Sequence, residues 1–134
     1  MRDIEFRGRD EHGIWRFGSF AQKKINNLIY PCIFTRKEWD SGDYIDDRVV
    51  EGDTVGQFTG LTDKNGTKIF EGDVVSFVER KINYSVVFEN GSFYCYHTEQ
   101  KDFEGNFLRW GLLSRAFEIT DSGYRVVVGN IYDK

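Results

Sequence analysis

Cys95 and His97 stand two residues apart, and in an extended strand that spacing puts both side chains on one face. A thiol beside an imidazole is the beginning of a nucleophilic pair, but catalysis also needs a group that orients the base and donors for the developing oxyanion. The neighbouring sequence offers neither, so Cys95 reads as a core thiol and His97 as a surface histidine. Zinc would need three or four ligands. The histidines are His12 and His97, the cysteines Cys32 and Cys95, and no two of them are spaced to nucleate a site. Asp40, Asp43, Asp46, Asp47, Glu51 and Asp53 form an acidic run that could suit a divalent cation. Its spacing lacks the alternating ligands, central glycine and closing glutamate of a calcium loop. Asp63-Lys64-Asn65-Gly66 imitates a fragment of such a loop, with a lysine and an early glycine out of register. Both read as solvated loops or turns, and neither a metal nor a cofactor is expected.

Two further patterns carry chemistry. Arg7, Arg9 and Arg16 flank Trp15 and Phe17, and Arg36-Lys37 adjoins Trp39. Basic residues interleaved with aromatics are what single-stranded nucleic acid uses, with bases stacked on rings and phosphates on guanidinium groups. The plainer reading is a half-buried strand, aromatics inward and arginines outward, and it is preferred. Gly56, Gly60, Gly66 and Gly72 fit neither GxxxxGK[ST] nor GxGxxG, and no helix follows them to present its N-terminus to a phosphate. They read as turn and strand-approach glycines.

The elements that must position these residues are strands. Twelve Phe, seven Tyr and three Trp favour pleated surfaces, whereas good helix formers are sparse, alanine occurring only at Ala21 and Ala116. At 134 residues the chain suffices for one core or two small β subdomains. The net charge of −4 mixes both signs, which bears on solubility and makes a dedicated non-specific DNA binder unexpected. Cys32 and Cys95 read as buried free thiols. Met1-Arg2-Asp3 leads directly into an alternating strand, and no apolar run approaches the roughly 20 residues of a membrane helix. A soluble, cytoplasmic protein is expected.

In chain order, Ile4 to Phe6 and Ile14 to Phe20 form a hairpin around Asp10-Glu11-His12-Gly13. Ala21 to Asn27 reads as a polar loop. Leu28 to Phe34 is a strand that Pro31 assigns to an edge or a bend. Thr35 to Asp53 reads as a long excursion with one short strand around Tyr44 to Val50. The chain is organised around Thr54 to Phe77: strand, turn at Asp63-Lys64-Asn65-Gly66, the apolar pair Ile69-Phe70, turn at Glu71-Gly72-Asp73, strand. Asn90-Gly91, between Tyr84 to Phe88 and Phe93 to Tyr96, is the clearest hairpin signal. His97 to Arg109 is poorly patterned, and Tyr124 to Tyr132 is a last strand with a bulge or bend at Gly129. The turn residues Asn65, Gly66, Gly72, Asn90 and Gly91 are expected to matter for stability. Several short strands from Lys68 onward suggest closure into a small SH3-like barrel, because an open sheet leaves exposed edges. The domains expected are an N-terminal β-hairpin subdomain over residues 1–60 and the barrel over residues 61–134.

Phe6-Arg7-Gly8, Gly13-Ile14-Trp15, Gly18-Ser19 and Thr54-Val55-Gly56-Gln57-Phe58-Thr59-Gly60-Leu61 resemble the YopX family of small phage and prophage proteins. So do Asp63-Lys64-Asn65-Gly66, Ile69-Phe70-Glu71-Gly72-Asp73-Val74-Val75 and Val128-Gly129-Asn130-Ile131-Tyr132. The similarity spans nearly the whole chain and thins between Asn26 and Arg48 and between His97 and Ser122. It implies an SH3-type barrel in the second part, a β-rich N-terminal part packed on it, and a gene carried by a phage or prophage. The family brings no established activity and no catalytic residues to carry over.

The expectation is therefore a non-enzymatic phage or prophage accessory protein in the cytoplasm of a bacterial host, acting as a binding module through self-association and a protein partner. Trp39 and Tyr44 are its expected interaction residues. The alternative is a nucleic-acid-binding module using Arg7, Arg9, Trp15 and Arg16. No membrane partner is expected.

Overall fold

The computed structural model describes residues 4–38, 40–77, 81–114 and 125–133. Among them are eleven β-strands: β1 (Phe6–Arg9), β2 (Trp15–Ile25), β3 (Leu28–Lys37), β4 (Tyr44–Val49), β5 (Glu51–Thr62), β6 (Lys68–Phe70), β7 (Asp73–Phe77), β8 (Ile82–Glu89), β9 (Ser92–Lys101), β10 (Phe107–Leu112) and β11 (Arg125–Asn130). The chain divides into two compact units, Met1–Phe58 and Thr59–Lys134, and passes from one to the other inside β5. The all-β reading holds.

In the first unit the strands lie in the order β4-β3-β2-β1-β5, every pair antiparallel. Ala21 to Asn27 is not the loop its polarity suggests. β2 runs through to Ile25 and pairs without a break from Ser19↔Phe34 to Ile25↔Leu28. The reversal is confined to Asn26 and Asn27, at φ 49 and 67, the paired positive values of a two-residue type I′ turn. Asparagine tolerates that conformation better than other non-glycine residues. β3 is an interior strand only from Cys32 onward; from Leu28 to Tyr30 its outer side is an edge, and Pro31 stands at the boundary. Pro31 is accommodated because it lies where the β3–β4 ladder ends: Cys32 pairs with Val49, and Val50 N–H already donates to Pro31 O at 3.0 Å. In a strand the N–H and C=O of one residue point the same way, so the amide proton that Pro31 lacks would have pointed past the end of β4. The long excursion shortens, since β3 continues to Lys37 and β4 begins at Tyr44. Cys32, Ile33, Val50 and Phe58 are buried in this unit.

In the second unit β6 neighbours β5, and a five-stranded antiparallel sheet runs β10-β9-β8-β7-β11. Its core is Ile69, Val75, Phe77, Tyr84, Val86, Cys95 and Leu113, with Trp110 packed against it. The Phe77 and Tyr84 rings pack at a tilt with centroids 4.5 Å apart, and Trp110 meets the Phe77 ring edge-on at 5.9 Å. Burying each large apolar side chain contributes about 1.5–3 kcal/mol. The described strands do not close this sheet into the expected barrel, because β10 and β11 stand as its two edges. Both edges are irregular: β10 slips register twice against β9, and β11 bulges between Val127 and Gly129. Bulges of this kind blunt an edge and so make closure unnecessary for protecting it. The bulge at Gly129 and the Asn90-Gly91 turn, at φ 49 and 81, fall where the sequence places them. His97 to Arg109, featureless in pattern, continues β9 to Lys101 and starts β10 at Phe107.

Candidate interaction surface

Three turns in this molecule are the same device. Asp10, Asp63 and Asp102 each open an Asp-x-x-Gly-x segment. In each, the glycine N–H donates to the aspartate carbonyl, at 3.0, 3.0 and 3.2 Å, and the aspartate N–H donates to the carbonyl four residues on. In each, the carboxylate Oδ1 accepts the amides two and four residues later, at 2.8–3.0 Å. The carboxylate thus takes over amides that the turn would leave unbonded. The second carboxylate oxygen differs. Asp63 Oδ2 accepts Val127 N–H at 2.9 Å, pinning the turn to β11. Asp10 Oδ2 takes Arg16 Nε and Nη2, both at 3.0 Å. The Ile14 amide on its carboxylate, helped by Arg16 and the His12 amide and opposed by desolvation, holds the Asp10 carboxyl below its ordinary pKa. The Asp63 segment is therefore a structural turn whose carboxylate is filled by backbone amides. Among the described residues no three Asp, Glu, His or Cys side chains gather as metal ligands.

The Arg/aromatic hairpin separates into two faces. Cross-strand pairs Arg7↔Phe17 and Arg9↔Trp15 put Arg7, Arg9, Trp15 and Phe17 on one side. Arg16, opposite Gly8, lies on the other side with Asp10. Arg7 does not point outward as the alternation suggested. It is 7% exposed, with its guanidinium 4.3 Å from the Trp15 ring centroid, and that of Arg9 sits at 5.5 Å. Trp15 is therefore an internal platform for cations of its own chain.

Cys95 is fully buried on β9 opposite Val86, and burial pushes its thiol up to about 12. His97 packs its ring on Tyr84 at 4.8 Å. The Cys95/His97 pair thus holds a protonated sulfur at neutral pH and a histidine engaged with a core ring. Cys32 is a second buried free thiol, and burial raises its pKa too.

Of the expected interaction residues, Trp39 lies outside the described residues. Tyr44 opens β4 opposite Lys37 and is 48% exposed. The acidic run is partly consumed by ion pairs: Asp43 with Arg36, Asp46 with Arg48, and Asp47 with Lys23 at 2.5 Å. The turn residues behave individually. Gly66 has φ +80 and Gly72 φ +91, whereas Asn65 is not among the positive-φ residues.

The feature that sequence reasoning missed is the far half of the β2–β3 hairpin. β1 pairs with β2 only as far as Gly18, and β4 pairs with β3 only from Cys32 onward. Beyond those points, among the described residues, the two strands pair only with each other as a ribbon up to the Asn26-Asn27 turn. Every residue from Ser19 to Ile29 is exposed. One face of this arm carries Lys23, Tyr30, Ile25 and Leu28, the other Gln22, Pro31, Lys24 and Ile29. Leu28 and Ile29 are 60% and 63% exposed. The signal was the Asn-Asn pair between two stretches of extended character, hidden by the lysines and glutamine of β2. Close by in the first unit, a cavity of about 490 Å³ opens between the β1–β2 turn and the β4–β5 corner.

Two antiparallel sheets in two units, with Asx-capped hairpins and an exposed arm, define a small all-β protein whose candidate site is a surface. Residues 5–134 match the model of the YopX protein family, and the chain belongs to that family. No curated protein matches it. Among solved structures, the crystal structure of protein EF1440 from Enterococcus faecalis is similar, with a TM-score of 0.56 and 21% identity over 98% of this chain and 94% of that one. At that identity the likeness concerns the fold alone.

Proposed function

We propose that this chain is a non-catalytic binding module, carried by a phage or prophage and working in the host cytoplasm through self-association and a protein partner. The observation that carries the reading is the β2–β3 arm. A two-stranded ribbon is marginal by itself in water, and this one holds Leu28 and Ile29 in solvent. Apolar side chains displayed on a pre-formed strand pair suit a surface that is covered on binding. The high pKa of Cys95 supports a non-enzymatic role by depriving the nearest nucleophile of its thiolate. An SH3-like reading of residues 61–134 belongs to the same proposal, supported by short antiparallel strands β7, β8, β9 and β10 that are neighbours in chain order. Single-stranded nucleic acid binding at Arg7, Arg9, Trp15 and Arg16 has less support, since Arg7 and Arg9 already lie against the indole and Arg16 faces away.

The test is a tagged pull-down from cells carrying the phage or prophage, with and without nuclease, comparing wild type with Leu28→Ser/Ile29→Ser. A protein that survives nuclease and is lost with the double variant is the expected result. Recovery of nucleic acid, or partners lost on digestion, would instead favour the Arg/Trp15 hairpin.

A further inference from the structure

From Phe20 to Tyr30 the arm contains Lys23 and Lys24 and no acidic residue, in a chain whose net charge is −4. The corner that follows is the reverse: residues 40–53 hold six acids against the single base Arg48. The cavity at that corner is lined by Asp10, Glu11, Asp47 and Glu51 against Arg16 and Arg48. Within the chain Asp47 holds Lys23 and Arg16 holds Asp10, so the contrast that remains is Lys24 on the apolar arm against Glu11 and Glu51 in the recess.

The two backbone edges of the arm also differ. The β2 edge bears Lys24, which repels a second β2 laid alongside, the usual protection of an exposed edge, while Lys23 is held by Asp47. Leu28, Ile29 and Tyr30 on β3 carry no charge at all. Edge-to-edge pairing of two β2 strands through Lys24 is disfavoured, while attraction of Lys24 to an acidic recess is not.

We infer that the occupant of the arm is a second copy of this chain: the tip around Asn26-Asn27 seats at the Asp10/Glu51 cavity of the other copy, and the exchange is reciprocal. The inference rests on the binding-module reading and names its partner. Lys24 supplies the cation that meets Glu51 and Glu11 of the second copy, and Ile29, on the same face of the arm as Lys24, covers the exposed Val49 of the cavity wall. A two-fold exchange of this kind uses each arm and each cavity once and closes without further growth.

Sedimentation velocity over a concentration series tests it, with near-ultraviolet circular dichroism to confirm the fold of each variant. Wild type is expected to dimerise. Lys24→Glu and Glu51→Lys should each weaken the dimer by on the order of tenfold, the effect of losing one interface contact worth about 1.4 kcal/mol. Combining them should restore it. Glu11→Lys, in an exposed turn position, is a second variant with no demand on the fold and should weaken the dimer as well. A dimer indifferent to all three single substitutions would overturn the arm as its interface and leave self-association standing. A chain monomeric at every concentration would overturn the inference and the self-association with it, while capture of a foreign protein by the arm would remain an independent result.

Discussion

At the scale of single residues, the three Asx-capped turns give a graded test. Asp63 is 7% exposed and its carboxylate holds three backbone amides, those of Asn65, Thr67 and Val127. Asp63→Ala leaves them without a partner and should cost about 2–3 kcal/mol, the range for buried groups left unsatisfied. Asp102→Ala exposes two amides to water at an exposed turn and should cost less than about 1 kcal/mol. Urea unfolding of the two variants checks the order, and equal losses would refute it. Gly72 differs from Gly66 for a related reason. An alanine Cβ at Gly72 would stand 2.9 Å from the Tyr132 ring as well as in a positive-φ backbone, whereas at Gly66 nothing lies within 4 Å. Gly66→Ala should therefore cost only the backbone term of about 1–2 kcal/mol, and Gly72→Ala distinctly more. Charge enters through Lys23 and Asp47. Their mutual hydrogen bond raises the lysine pKa above 10.5 and lowers the aspartate below 3.8, and Asp10 is lowered from 3.8 as well. A depressed carboxyl stabilises the fold above its unfolded pKa, and that contribution fades as pH falls through the folded value. The raised lysine contributes fully below about pH 10.5 and loses its part as pH climbs beyond. Stability should accordingly fall below about pH 4, and Asp10→Asn and Asp47→Asn should each flatten that acid slope in pH-dependent urea titrations.

At the scale of elements, what the sequence discloses depends on whether turn chemistry or side-chain polarity is consulted. Asn90-Gly91 and Asp63-Lys64-Asn65-Gly66 announce hairpins through residues chosen for backbone geometry, and both are where the pattern puts them. Ala21 to Asn27 conceals one, because a ribbon exposed on both faces has no buried side to impose alternation. Pro31 marks the edge only in part: β3 loses its outer partner beyond it but keeps β4 from Cys32 onward, a matter of register that local sequence does not carry. The same holds for the site. Arg7, Arg9 and Trp15 are visible as a cluster, yet only the cross-strand register shows that the arginines stack on the indole and that Arg16 turns away. In the type I′ turn at Asn26-Asn27, glycine suits the second position better than asparagine. Asn27→Gly should raise the melting temperature slightly or leave it unchanged, whereas Asn27→Val, branched at a φ of 67, should lower it.

At the scale of the whole molecule, the two units differ in how their apolar residues are used. The second concentrates Val75, Phe77, Tyr84, Val86 and Cys95 of β7, β8 and β9 into one cluster with Ile69 of β6 and Leu113. A buried Arg125 lays its guanidinium 3.7 Å from the Phe77 centroid at one margin. The first unit sends about a fifth of its length, Ser19 to Ile29, into a ribbon whose side chains stay in solvent. Protection of an amide against hydrogen exchange follows the free energy of the smallest opening that frees it. Amides of β7 to β9 are freed only by dissolving the cluster, while those of the arm need no core to open. Exchange should therefore be slowest at Val75, Tyr84, Val86 and Cys95 and fastest between Phe20 and Tyr30. Labelling of Cys95 by a thiol reagent at pH 8 should keep pace with the slow class, because its thiol is buried and its pKa is pushed up to about 12. Cys95 labelling as fast as arm exchange would mean that the cluster opens locally, and the ranking of the two units by core would then be wrong. The arm is also where concentration matters. If it is covered by a second copy, its exchange must slow as protein concentration rises while that of β7 to β9 barely changes, a signature that no rearrangement within one chain produces.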